Sequence, residues 1–136
     1  MTLPARSLAK LKGVHPDLVA VVLRAAELAP GLFRVTQGVR TIEEQRILKA
    51  AGASRTLKSR HIPATSRARP DVAHAIDIVC LLNGKESWHG PLYVRMSRIF
   101  KQAAKELKVA IEWGGEAFGP RFFDGPHYQL AWKAYP

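Results

Sequence analysis

Cysteine is nearly absent from this sequence: Cys80 is the single one among 136 residues. One cysteine cannot form a disulfide within its own chain, so a fold held by internal disulfides is excluded. The apolar residues around Cys80 predict a packed thiol rather than a nucleophile. A chain of this length can bury a hydrophobic core without such bonds, and we expect one domain over residues 1–136.

Long hydrophobic runs are also missing. No stretch approaches the ~20 apolar residues that span a bilayer. The residues that follow Met1 lack the apolar segment of a signal peptide. We therefore expect a protein made in the cytoplasm, with no signal peptide and no transmembrane segment.

Acidic residues are scarce, with 11 Asp and Glu against 21 Lys and Arg, which gives a net charge of +10. Such a field attracts polyanions, among them nucleic acid and the anionic bacterial envelope. The basic residues are densest between Arg55 and Arg69, a stretch that could equally be a solvated loop. No nucleic-acid-reading motif is recognisable, so we expect no specific nucleic-acid partner. A basic polyanion-binding protein nevertheless stays open as an alternative of another class.

The pattern along the chain predicts a mixed α+β fold. Helices are expected from Pro16 to Pro30, from a capping box at Thr41 to Gly52, and from Pro91 to Leu107. Strands are expected at 33–36, 75–82, 109–113 and 127–132, with Asn83-Gly84 as a hairpin turn. This order predicts a mainly antiparallel sheet with helices packed on it.

The segment Asp124-Gly125-Pro126-His127 sets a carboxylate three residues before a histidine. Glycine and proline argue against a helix here, so we expect a turn that leads into a strand. His127 could then bind a metal, with Asp124 beside it to take a proton from bound water. The alternative is that Asp124 only forms the turn.

A catalytic zinc site needs about three protein ligands, and the other candidates are His61, His74 and Asp77. Asp77 lies in an apolar run, where a carboxylate normally has to pair, neutralise or bind a metal. If residues 74–79 form one strand, His74 and Asp77 point to opposite faces of the sheet. That alternation favours His61 over His74 as a ligand.

Five short motifs occur in the order found in a known family. They are Gly38-Val39-Arg40-Thr41, Ser59-Arg60-His61, Ala75-Ile76-Asp77, Trp113-Gly114-Gly115 and Asp124-Gly125-Pro126-His127. Together they resemble the zinc D,D-carboxypeptidase and dipeptidase family, above all the L-alanyl-D-glutamate endopeptidases that tailed phages use as endolysins. The resemblance covers nearly the whole chain and implies the α+β fold of hedgehog and D,D-peptidase domains.

Carried over position by position, the resemblance implies a role for six residues. The ligands of a catalytic Zn²⁺ would be His61, Asp77 and His127. Asp124 would be the general base. Arg40 becomes a candidate for stabilising oxyanion charge, and Ser59 becomes a candidate substrate contact.

One departure from the family concerns spacing. His61 and Asp77 stand sixteen positions apart, which is wider than the family usually has. An insertion within the loop 62–73 would explain the difference, because Pro63, Ser66 and Pro70 suit a surface loop. His74 remains the rival first ligand.

The resemblance implies a phage endolysin that hydrolyses the L-alanyl-D-glutamate bond of peptidoglycan stem peptides and lyses the bacterial host. A D,D-carboxypeptidase or D-Ala-D-Ala dipeptidase would use the same zinc site, and a binding module would keep the fold and zinc without turnover. We expect a monomer that contacts the anionic envelope through its basic surface. It would stay in the host cytoplasm until a holin gives it access to the cell wall and periplasm.

Overall fold

The computed structural model describes residues 3–54, 56 and 58–136, so the prediction about Arg55 lies outside the described residues. The helices are α1 (Ala5–Lys10), α2 (Pro16–Leu28), α3 (Ile42–Ala50) and α4 (Gly90–Leu107), with a 3-10 turn at Pro63–Thr65. The strands are β1 (Phe33–Gln37), β2 (Ala75–Leu82), β3 (Lys85–Ser87), β4 (Ile111–Trp113) and β5 (His127–Leu130). The predicted α+β class is confirmed. Among the described residues, no helix is both long and apolar enough to cross a membrane.

Local signals explain most helix boundaries. Thr41 and Glu44 form the predicted capping box at the start of α3. Pro16 opens α2, where the ring of His15 accepts a hydrogen bond from the backbone N–H of Asp17. The short helix α1 was not predicted, and it begins without any side-chain cap.

All strand pairs are antiparallel, and β2 is the central strand of the order β1-β2-β5-β4. The β2–β3 hairpin turns at Asn83 and Gly84, both with positive φ, as a two-residue hairpin turn requires. One edge of β2 pairs with β1, and the other pairs with β5 and then with β3.

The two faces of the sheet have different tasks. Ile76 and Ile78 of β2 point into the core, where Phe100 of α4 stacks on Tyr128 of β5 at a centroid distance of 4.0 Å. Asp77 points to the other face, because side chains alternate along a strand. Helix α4 therefore packs on one face, and the other is left for the cleft described below.

Strand register brings polar residues together on that open face. Asp77 lies directly opposite His127 of β5 and opposite Gln37 of β1. The β1 pairing shifts between Val35 and Gln37, so Thr36 bulges and Gln37 takes the place beside Asp77.

The basic stretch is not a uniform solvated patch. Arg60 is buried, and Arg69 pairs with Asp71 at 3.0 Å. Ser66, in the loop 62–73, is also buried and donates a hydrogen bond to the backbone carbonyl of Pro136. Part of this loop therefore packs on the C-terminal segment.

Gly114 follows β4 and lies against the turn that leads into β5. Its N–H donates to the carbonyl of His127, and its own carbonyl accepts from the N–H of Asp124. A Cβ at this position would stand 2.2 Å from the carbonyl oxygen of Asp124 and 2.9 Å from the Cβ of His127. Only glycine permits this approach, so Gly114 fixes where the Asp124 turn sits.

We expect Gly114→Ala to destabilise the protein by about 1–3 kcal/mol, as overpacking does when backbone must move. Gly90→Ala is the matched control, since a Cβ at Gly90 meets nothing within 4 Å. Urea unfolding of both variants measures the difference. Equal unfolding midpoints for Gly114→Ala and the parent protein would show that the turn tolerates a side chain.

Candidate metal centre

Three side chains converge on the open face of the sheet: His61, Asp77 and His127. The Nε2 atom of His61 and the Nδ1 atom of His127 each lie 3.3 Å from Oδ1 of Asp77. All three potential ligand atoms lie within 4.8 Å of one another. The cluster joins a loop, a central strand and a neighbouring strand.

The ring of His61 is oriented by a backbone carbonyl on the side away from Asp77. Its Nδ1 lies 2.8 Å from the carbonyl oxygen of Gly38. A carbonyl only accepts, so Nδ1 carries the hydrogen and donates it. In the neutral form of the ring, this tautomer turns the lone pair of Nε2 toward Asp77.

His127 is fixed in the same way by a side chain. Its Nε2 lies 2.7 Å from Oε1 of Gln129, whose Nε2 donates to Glu112 at 3.3 Å. Because Glu112 accepts from the amide nitrogen, the amide oxygen of Gln129 faces the histidine. The Nδ1 lone pair of His127 is therefore left to point at Asp77.

In these neutral tautomers, three electron-pair donors face one another with the ring hydrogens directed elsewhere. A ring that carries both hydrogens instead donates one of them to Asp77. Two imidazole nitrogens and a carboxylate oxygen, each imidazole held by an acceptor on its far side, form the donor set of a transition-metal site. The residues present therefore fit a bound cation.

The electrostatics of the cluster favour a cation at this place. Burial alone would raise the pKa of Asp77, but the charge of His61 and the hydrogen bonds from both histidines hold it well below its usual range. Burial would lower the pKa of His127, yet the hydrogen bond and charge of Asp77 outweigh that effect and raise it. Asp77 is therefore held as a carboxylate, which attracts a proton on a neighbouring histidine or a metal ion in its place.

Arg40 supports Asp77 from the other side. Its Nη2 lies 3.4 Å from Oδ2 of Asp77 and 2.5 Å from Oε1 of Gln37. Its Nη1 donates to Oε1 of Gln45 at 2.6 Å. The guanidinium is buried, so most of its donors are engaged within the protein.

Ser59 lies in the same network and is buried. Its Oγ accepts from the backbone N–H of His61 at 3.2 Å and from Nη1 of Arg40 at 3.4 Å. It also borders the cleft. Its geometry makes it a support for the His61 turn, and its contact with substrate stays a prediction.

Asp124 lies half-buried on the turn before β5, as predicted. It lines a cleft of about 580 Å³ together with the three converging residues. Desolvation and the nearby charge of Asp77 raise the pKa of Asp124 above its usual value, although His127, His61 and Arg40 oppose the shift. A carboxylate with a raised pKa beside a metal centre is suited to exchange protons.

His74 lies outside this cluster. Its Nδ1 is 2.9 Å from the carbonyl oxygen of Val72, and its ring packs against His15 at a centroid distance of 5.2 Å. Burial lowers the pKa of His74 to about 4. The structure therefore brings His61, and not His74, to Asp77.

Sequence reasoning missed the glutamines of the site. Gln129 had a usable signal, because it stands two positions after His127 and so shares its face of the strand. Gln37 had none, since the bulge in β1 breaks the alternation that would have placed it.

Comparison with known proteins agrees with this geometry. Residues 1–131 match the family described as phage L-alanyl-D-glutamate peptidase. The L-alanyl-D-glutamate peptidase of Escherichia phage T5 is 32% identical over 108 residues, which is 79% of this chain and 74% of the phage protein. That of Listeria phage A118 is 31% identical over 101 residues, or 74% of this chain but only 31% of that protein. The crystal structure of the L-Ala D-Glu endopeptidase ChiX of Serratia marcescens superposes with a TM-score of 0.81 at 39% identity, covering 100% of this chain and 92% of that one.

We expect His61→Ala to abolish metal binding and His74→Ala to retain about one metal ion per chain, because His61 contacts Asp77 and His74 does not. Elemental analysis after dialysis gives the metal content, and circular dichroism shows that each variant is folded. Retention of metal by folded His61→Ala together with its loss from folded His74→Ala would reverse the ligand assignment.

Proposed function

Because the chain belongs to the phage L-alanyl-D-glutamate peptidase family, we propose that it is a zinc endolysin that hydrolyses the L-alanyl-D-glutamate bond of peptidoglycan stem peptides. The observation that supports this most is the cluster of His61, Asp77 and His127 beside Asp124 on one cleft. That set contains metal ligands and a proton acceptor, which peptide hydrolysis requires together.

The donor set together with the proposed hydrolysis favours zinc, which has no redox chemistry of its own. Two imidazoles and one carboxylate, with a cleft on the open side, match the three protein ligands of catalytic zinc sites. When bound there, zinc would lower the pKa of a water molecule and polarise the peptide carbonyl. The assignment of His61, Asp77 and His127 as its ligands is part of this proposal.

Asp124 is the proposed general base. It accepts a proton from the water that attacks the alanyl carbonyl, and its partly buried position favours holding that proton. It then delivers the proton to the amino group of D-glutamate as the peptide bond breaks. Gly114, which fixes the turn, keeps the Asp124 carboxylate at the cleft.

Arg40 is proposed to act mainly through Asp77. Its contact with Oδ2 at 3.4 Å leaves Oδ1 free to face the histidines. A direct contribution to oxyanion stabilisation would require a free donor. Both Nη atoms are engaged, which leaves Nε, a buried atom with no partner among the described residues. Ser59 is the proposed substrate contact on the neighbouring wall.

The proposed cellular role follows from the family. A phage endolysin would be synthesised in the host cytoplasm and would reach the wall once the inner membrane opens. The net charge of +10 would aid association with the anionic envelope, and we propose that the protein works as a monomer.

Digestion of purified peptidoglycan, with mass analysis of the released ends, tests the reaction and the bond together. We expect new C-terminal alanine and new N-terminal D-glutamate, and we expect chelation to abolish the reaction until zinc is returned. Release of free D-alanine would instead assign a D,D-carboxypeptidase. Activity that survives exhaustive chelation and dialysis would overturn the metallopeptidase proposal.

We expect Asp124→Asn to keep the fold and the metal but to lose at least about 10²-fold in kcat, the lower end of what a general base contributes. The amide preserves the size of the side chain but cannot accept the proton. Asp71→Asn is the matched control, because Asp71 pairs with Arg69 at the surface and does not line the cleft.

Release of amino groups from peptidoglycan is the appropriate assay, since a strongly basic protein can perturb envelopes without hydrolysis. A folded, metal-loaded Asp124→Asn variant within a few-fold of the parent rate would place the base elsewhere.

A further inference from the structure

Among the described residues, three Lys or Arg side chains line the cleft: Arg40, Lys58 and Arg60. Arg40 is engaged with Asp77 and its neighbouring glutamines, as described above. Arg60 donates through Nη2 to the backbone carbonyls of Leu130 and Tyr135. Its guanidinium also lies 3.8 Å from the centroid of the Trp132 ring. Both guanidinium groups are therefore held in place, and their remaining donors, Nε of Arg40 and Nε and Nη1 of Arg60, are unpaired among the described residues but buried.

Lys58 differs from both. Its side chain is exposed and, within residues 3–54, 56 and 58–136, makes no ion pair or side-chain hydrogen bond. Its backbone is nevertheless anchored, because its N–H donates to Oγ1 of Thr56 at 2.9 Å. Lys58 thus presents an unpaired ammonium group on a backbone that is held in place.

The backbone of Lys58 lies close to the metal centre. Lys58 is three residues before His61, so their Cα atoms are at most about 11 Å apart. The intervening turn is closed by the hydrogen bond from Ile62 N to Ser59 O at 3.0 Å, which shortens the span further. Lys58 lines the cleft, and a flexible four-carbon side chain from this point is long enough to extend toward the metal centre.

The proposed substrate carries a group that needs such a partner. A glutamate residue that continues a peptide through one carboxyl group leaves its other carboxyl group free. In an L-alanyl-D-glutamate peptide, that free carboxylate belongs to the residue whose amino group is released. The cleft also contains the carboxylates of Asp77 and Asp124, which repel another anion.

We propose that Lys58 binds the free carboxylate of the D-glutamate residue and so makes the enzyme select glutamate over its amidated form. This inference rests on the proposed peptidase function. Lys58 is then a specificity-determining residue, because it recognises the substrate next to the bond without taking part in proton transfer.

The test uses two stem peptides that differ only at this group, one with the free carboxylate and one with the carboxamide. We expect the parent enzyme to favour the carboxylate by about tenfold in kcat/KM, the size of one charge-assisted contact in a partly exposed cleft. Lys58→Gln should lower that preference to within about twofold, mainly by slowing the carboxylate peptide. Lys58→Arg should keep the preference.

Lys105→Gln is the matched control for net charge, since Lys105 is exposed on α4, on the helix-covered side of the sheet, and does not line the cleft. It should retain the parent preference. An unchanged preference in Lys58→Gln, or an equal loss in Lys105→Gln, would overturn the role of Lys58. Failure of the parent enzyme to cleave either peptide would instead overturn the proposed function.

Discussion

One carboxylate, Asp77, is the constraint on which the site depends. It stands on the central strand of the sheet, where an unpaired charge is costly. Its two oxygens are divided between two environments, with Oδ2 facing Arg40 at 3.4 Å and Oδ1 facing both histidines at 3.3 Å. The arginine compensates the charge on one side, and the other side stays available as a ligand. This division explains how the buried guanidinium of Arg40 can stabilise Asp77 without contacting an ion in the proposed metal site.

Each histidine is oriented by a hydrogen-bond acceptor on the side of its ring that faces away from Asp77. The carbonyl of Gly38 and the amide oxygen of Gln129 each take the ring hydrogen and so fix which nitrogen is free. Gln129 is itself oriented by Glu112, across the β4–β5 pair. Because backbone and strand register set these positions, the proposed ligands are already arranged in the metal-free protein, and binding an ion there would cost little conformational entropy.

Sequence patterns predicted the parts of this arrangement that depend on local chemistry. The bounds of β2, the capping box of α3 and the turn at Asp124 follow from hydrophobic runs, cap residues and proline, and they were found as expected. The bulge in β1 and the burial of Arg60 depend on contacts between distant segments. No local pattern records such contacts. The position of Gln37 opposite Asp77, where it accepts a hydrogen bond from Arg40, is therefore visible only in the fold.

The wide spacing between His61 and Asp77 does not loosen the centre, because the loop between them is closed at its base. The N–H of His74 donates to the carbonyl of Arg60 at 2.8 Å, so residues 60 and 74 are already adjacent. The carbonyl of His61 likewise accepts from the N–H of Arg40 at 2.8 Å. Because these hydrogen bonds hold the ends of the loop together, lengthening the loop adds to its closure entropy only slowly. The ligand geometry is thus independent of how many residues the loop contains, which allows an insertion here without loss of the site.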